Sequence, residues 1–133
     1  MKLINLFIIM GLLCLHVKAQ EVIVKTAKVN SGEEVILKFK FADDIIISTW
    51  DKNEVQVKVT YNINNGVDND KFELILDDRA QGVEFESKIH NMKKIGKKET
   101  IRDDDSGRII TYNNHIEMDF TYEVFIPSNV ELE

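Results

Sequence analysis

The chain has 133 residues, 44% hydrophobic and 30% charged, the composition of one ordinary globular domain. With 17 basic against 23 acidic residues its net charge is −6, which disfavours phosphate backbones and anionic lipid headgroups as partners. Cys14 is the only cysteine, so no intrachain disulfide and no multi-thiolate metal site can form.

Residues 1–19 have the anatomy of a secretory signal peptide. Met1-Lys2 is a short positive start, Leu3 to Leu15 is apolar, and Val17-Lys18-Ala19 closes on a small residue. Roughly thirteen apolar residues fall short of the ~20 that a spanning helix needs. Cleavage after Ala19 removes Cys14, Lys2 and Lys18, leaving 15 basic against 23 acidic residues and a charge of −8. Bulky Leu13 stands immediately before Cys14, where a lipoprotein signal carries a small residue. Residues 20–133 are expected to form a single all-β domain, secreted to the periplasm or the cell surface, with no membrane span.

The mature chain alternates with a period near two, the signature of strands. Glu21 to Val29 opens with β-branched residues and closes on the turn Asn30-Ser31-Gly32. Val35, Leu37, Phe39 and Phe41 then share one face. Ala42-Asp43-Asp44 leads into Ile45-Ile46-Ile47-Ser48-Thr49-Trp50, and three successive isoleucines predict a central strand covered on both faces. The turn Asp51-Lys52-Asn53-Glu54 follows, and then Val55, Val57, Val59, Tyr61 and Ile63 alternate with polar residues. The stretch Phe39–Ile63 thus reads as a hairpin that nucleates the core, with Trp50 packed inside it.

Asn64 to Asp70 is a loop of turn formers. Phe72, Leu74 and Leu76 make a shorter strand, and Val83, Phe85, Ser87 and Ile89 another. From about residue 90 to 108 the pattern fails, and low hydrophobicity predicts a mobile connection. Strands resume at Ile109–Tyr112 and over the even-numbered run Ile116 to Ile126, which Pro127 ends. Val130 to Glu133 reads as the start of a further strand with an open edge, through which the protein would self-associate. The expected fold is all-β and mainly antiparallel, a β-sandwich or incipient β-solenoid of about seven to nine strands with almost no helix.

No catalytic, cofactor-binding or metal-binding residue is assigned. Asn64–Asp70 and Asp103–Gly107 concentrate oxygen ligands, but neither has the spacing of a helix-loop-helix calcium loop. His90 and His115 lack the further ligands that zinc needs. Glu84 and Glu86 share a strand face without a visible cleft. The pairs Lys93-Lys94 and Lys97-Lys98 are read as neutralised by Asp103 to Asp105. No nucleophile–base pair is in view, so the chain is read as not an enzyme.

Two segments carry a resemblance. Ile47-Ser48-Thr49-Trp50-Asp51-Lys52-Asn53-Glu54-Val55 has the form I-x-x-W-x-x-x-x-V, and Tyr122-Glu123-Val124-Phe125-Ile126-Pro127 the form Y-x-V-x-I-P. In these, and in Phe39 to Ile45, the chain resembles a bacterial adhesin-like β-strand-repeat family, a domain of unknown function. In that family stacked Gly-Asp repeats follow, forming a β-solenoid. Here they are missing after Pro127, so the chain resembles a truncated N-terminal portion. The resemblance implies an exported, non-catalytic structural or adhesin-like module of the cell envelope. The alternative is a secreted binding module that takes an unknown protein or glycan through its loops.

Overall fold

A computed structural model describes residues 20–95, 98–102, 109–113 and 116–133, with side chains placed in 20–95 and 116–133. The leader reading falls on residues 1–19 and lies outside the described residues. Ten strands run in order among the described residues: β1 (Glu21–Lys28), β2 (Glu34–Lys38), β3 (Asp44–Trp50), β4 (Glu54–Ile63), β5 (Phe72–Arg79), β6 (Gly82–Ile89), β7 (Lys98–Arg102), β8 (Ile109–Asn113), β9 (Met118–Pro127) and β10 (Glu131–Leu132). The only helical pieces among the described residues are three-residue 3-10 turns at Asn64–Gly66, Asn69–Lys71 and Met92–Lys94. The protein is an all-β sandwich, as its alternation predicts.

The first sheet has strand order β1-β4-β9-β3 and the second β10-β2-β6-β5, while β7 and β8 form a separate pair. Both main sheets are mixed. β4 is antiparallel to β1 and β9, and β5 to β6, but β3 runs parallel to β9 and β2 parallel to β6. The expected Phe39–Ile63 hairpin does not exist as a pair. β9 inserts between β3 and β4, so the two strands share a sheet without touching along their ladders.

The core forms where the inward faces meet. On β4, Val55, Val57, Val59, Tyr61 and Ile63 are all buried, and on β9 so are Phe120, Tyr122, Val124 and Ile126. Each such side chain contributes roughly 1.5–3 kcal/mol through removal from water. The second sheet answers with Val35, Phe72, Leu74, Val83 and Phe85. Rings tie the layers together: Phe39 stacks on Tyr122 at 4.2 Å, and Phe72 lies 4.5 Å from Tyr61 and 5.0 Å from Phe120. Offset and tilted pairs of this kind add about 0.5–1.5 kcal/mol each beyond burial.

Several local readings are corrected. β2 ends at Lys38, and Phe41 leaves its face to stand exposed in the left-handed region at φ 62°. The Lys40 amide donates to the Ser87 hydroxyl at 2.6 Å, anchoring the chain as it crosses from one sheet to the other. The connection expected at 90–108 contains strand β7, and Ile95 before it is buried in the core. β10 is the outer strand of its sheet, so its edge is open as expected, but it is not without a mate. It pairs parallel with β2, and the Glu133 amide donates to the Val35 carbonyl at 2.9 Å.

Candidate functional site

The largest departure from expectation is at β3. It is an edge strand, not a central one, and Ile45, Ile46 and Ile47 are 49%, 54% and 46% exposed. Register explains which way each points. Ile45 and Ile47 lie beside Tyr122 and Val124, which face the core, whereas Ile46 lies beside Glu123 on the outer face. The inward pair stays half open because of what lies opposite. β1 packs against β5, so the sheets are aligned and β3 faces the other end, where β10 is two residues long.

Alternation also places Trp50. It shares the outer face with Ile46 and Ser48, so it cannot be the core residue that the hairpin reading made it. Its indole N–H donates to the Glu54 carbonyl at 2.7 Å, its ring stacks on Phe125 at 5.2 Å, and the Lys52 ammonium sits 4.5 Å from the ring centre. These contacts stiffen the β3–β4 turn and present an aromatic–cationic corner at the end of the open strand. Exposed Phe41 stands at the other end, in the lead-in to β3.

The four outer edges are not alike. β1 carries Lys25 on its inward-facing side, next to Val57 in register, and ends on Lys28. β5 ends in Asp77, Asp78 and Arg79. β10 is short and sits among Glu34, Glu131 and Glu133, where a hydrogen bond shared with Glu133 raises the Glu34 carboxyl above the usual range. Inward charge, end charge and short length are the devices by which sheets avoid joining edge to edge. From Ile45 to Trp50 the β3 edge has no charged residue.

The residues singled out from sequence hold other places. In the Asn64–Asp70 loop the Asn69 side-chain carbonyl accepts the buried Ile63 amide at 2.8 Å, and Asn64 accepts the Glu117 amide at 3.0 Å. Asp68 takes hydrogen bonds from Asn64 and Lys71. The side-chain oxygens of Asn64, Asp68 and Asn69 thus serve the loop's own fold. His90 pairs with Glu73 at 2.7 Å on the surface, and holds that carboxyl below its ordinary range. Glu84 and Glu86 do share the outer face of the second sheet. Glu84 is 5% exposed, bound by Lys38 at 3.0 Å and by Arg79, with Lys38 foremost in keeping its carboxyl ionised. It is an ion-paired strut between β6 and the ends of β2 and β5. Lys93 and Lys94 are exposed within the 3-10 turn Met92–Lys94, whereas His115, Lys97 and Asp103–Gly107 lie outside the described residues.

Among the described residues no cluster of three or more His, Cys, Asp or Glu could hold a metal ion, and no helix is long and apolar enough to cross a membrane. The fold and its open edge define a two-sheet β-sandwich whose distinctive surface is a strand rather than a cleft. Comparison with family models, curated proteins and solved structures gave no match.

Proposed function

We propose that this chain is an exported, non-catalytic β module of the bacterial cell envelope, structural or adhesin-like, which acts through protein contact along its open strand β3. The observation that carries this reading is the β3 edge, uncharged from Ile45 to Trp50, with its three exposed isoleucines. A backbone with unmet hydrogen-bonding capacity beside apolar side chains is the ordinary means of strand addition. The leader anatomy of residues 1–19 and the resemblance of the Trp50 and Tyr122 segments to the adhesin-like family support the address. The glycan alternative has less support. A sugar stacking on Trp50 would have to displace Lys52 from the ring or Phe125 from its stack.

Expression of the full chain with a C-terminal tag in a Gram-negative host tests the reading. The expected result is a processed protein in the periplasmic or surface fraction, held in envelope assemblies that Ile46→Lys disperses. An unprocessed protein confined to the cytoplasm, or assemblies indifferent to Ile46→Lys, would overturn it.

A further inference from the structure

We infer that the partner of β3 is β3 of a second copy of this chain, paired antiparallel about a two-fold axis at Ile47 so that the two four-stranded sheets become one of eight. This rests on the proposed use of the β3 edge and names its occupant.

Three observations favour a second copy over an unrelated strand. First, the strand is complementary to its own reverse. With Ile47 opposite itself, Ile46 meets Ser48, Ile45 meets Thr49, and Asp44 meets Trp50, so every pair keeps to one face. Second, the ends match in charge and chemistry. Asp44 is exposed, and the Trp50 corner that it would meet carries the Lys52 ammonium over its ring. A carboxylate is thereby delivered to a cation at both ends of the interface, once for each copy. Third, the rest of the sheet is built to stop there. Lys25 and Lys28 guard β1, the opposite edge, so joining at β3 closes a dimer instead of propagating a ribbon.

The two-fold arrangement also disposes of the exposed side chains. The inward pair Ile45 and Ile47 of each copy would come together over the axis, above the end of the sandwich that two-residue β10 leaves open. On the outer face Ile46 would lie beside Ser48 of the other copy, between the two aromatic corners. In a sheet, a single-residue slip would turn the isoleucines to the wrong faces, so the register is specified and testable.

Light scattering and cross-linking on the purified protein test this. At tens of micromolar the mass is expected to be twice that of the chain, falling to the monomer on dilution. Ile47→Lys places two ammonium groups against each other on the axis. It is expected to give a monomer with an unchanged circular-dichroism spectrum, which its half-exposed position permits. In a Cys14→Ala background, Ile47→Cys is expected to form an intermolecular disulfide under mild oxidation, while Val24→Cys on β1 is expected to form none. A protein that is monomeric at every concentration overturns the inference, as does a dimer that Ile47→Lys leaves intact or one cross-linked through β1. If a monomeric protein still enters the envelope in assemblies that need Ile46, self-pairing fails and the proposed function stands. If it dimerises through β3 but remains unprocessed in the cytoplasm, the proposed function fails and self-pairing stands.

Discussion

Gly82 opens β6 and lies opposite Glu34 in the parallel ladder with β2. An alanine Cβ at this position would sit 1.9 Å from the Glu34 carbonyl oxygen, 2.7 Å from its carbonyl carbon and 2.8 Å from its nitrogen. All three atoms are backbone, so no side chain can swing aside. To restore even a 3.0 Å approach, β2 must retreat by about 1.1 Å at its first rung. That displaces the bond from the Glu34 amide to the Gln81 carbonyl, now 2.9 Å, and loosens Val35, which is fully buried beside Val83. Each weakened hydrogen bond costs about 1 kcal/mol. Partial exposure of Val35 costs about 1–2 kcal/mol, and a side chain at φ 155° adds about 1–3 kcal/mol of strain. Gly82→Ala should therefore cost about 4 kcal/mol, seen as a fall in Tm of roughly 15–20 °C for a domain of this size. Gly32→Ala is the control. That glycine also has positive φ, at 82°, but nothing lies within 4 Å of its missing Cβ, so about 1–2 kcal/mol is expected. Thermal and urea unfolding followed by circular dichroism measure both. Equal losses at the two glycines would refute the role given to the Glu34 contact.

Three further outcomes follow from the placement of aromatic side chains. Burial pushes the pKa of the Tyr122 hydroxyl up, opposed by an interaction with Ser87, and no well-formed hydrogen bond is seen there among the described residues; Tyr122→Phe should change stability by no more than about 1 kcal/mol, and a larger loss in urea titrations would show that the Ser87 bond is formed. Trp50→Ala should cost about 1–2 kcal/mol for the stack on Phe125 and the Glu54 bond, where a core tryptophan would cost about 3–5 kcal/mol. Tyr61 is raised to about 12, first by burial and then by its bond to the Glu21 carboxylate. Because the folded pKa lies above the ordinary 10.0, this stabilisation is complete below pH 10 and lost as pH rises towards 12; Tyr61→Phe should remove that part of the alkaline loss, and ultraviolet titration of the phenol near pH 10 in the folded protein would count against it.

The strands that sequence reading located best are those whose two faces meet different solvents. β4 and β9 alternate strictly because one side is dry and the other wet, and nothing about their neighbours is needed to see it. Neighbours are what alternation leaves out. Ile45-Ile46-Ile47 reads as doubly covered, since in most folds only a buried strand carries such a run, yet among the described residues its outer face is uncovered and its inner face half open. The apparent hairpin fails for the same reason. A short polar turn makes β3 and β4 adjacent in sequence, but β9 supplies a better mate to each, with matched apolar pairs such as Ile47–Val124 and Val59–Tyr122. One correct signal was present for Trp50: if Ile45 and Ile47 face the core, alternation turns Trp50 outward. The candidate site was legible as residues, therefore, and illegible as an edge, because edge and centre differ only in what lies several tens of residues away.

The insertion of β9 between β3 and β4 also sets the order of events in folding. The Asp43–Phe120 contact that starts the parallel ladder spans 77 positions. Until β9 has been made, β3 has no mate, and β1 with β4 is only a two-stranded ribbon, too small to hold its shape in water. The second sheet likewise waits on a parallel pairing between β2 and β6. Such topology makes folding slow. The export proposed above would gain from this delay, because the first sheet cannot close until β9 has joined β3 and β4. The same delay leaves Ile45 to Ile47 exposed in the unfolded chain, where an apolar run of this kind invites aggregation.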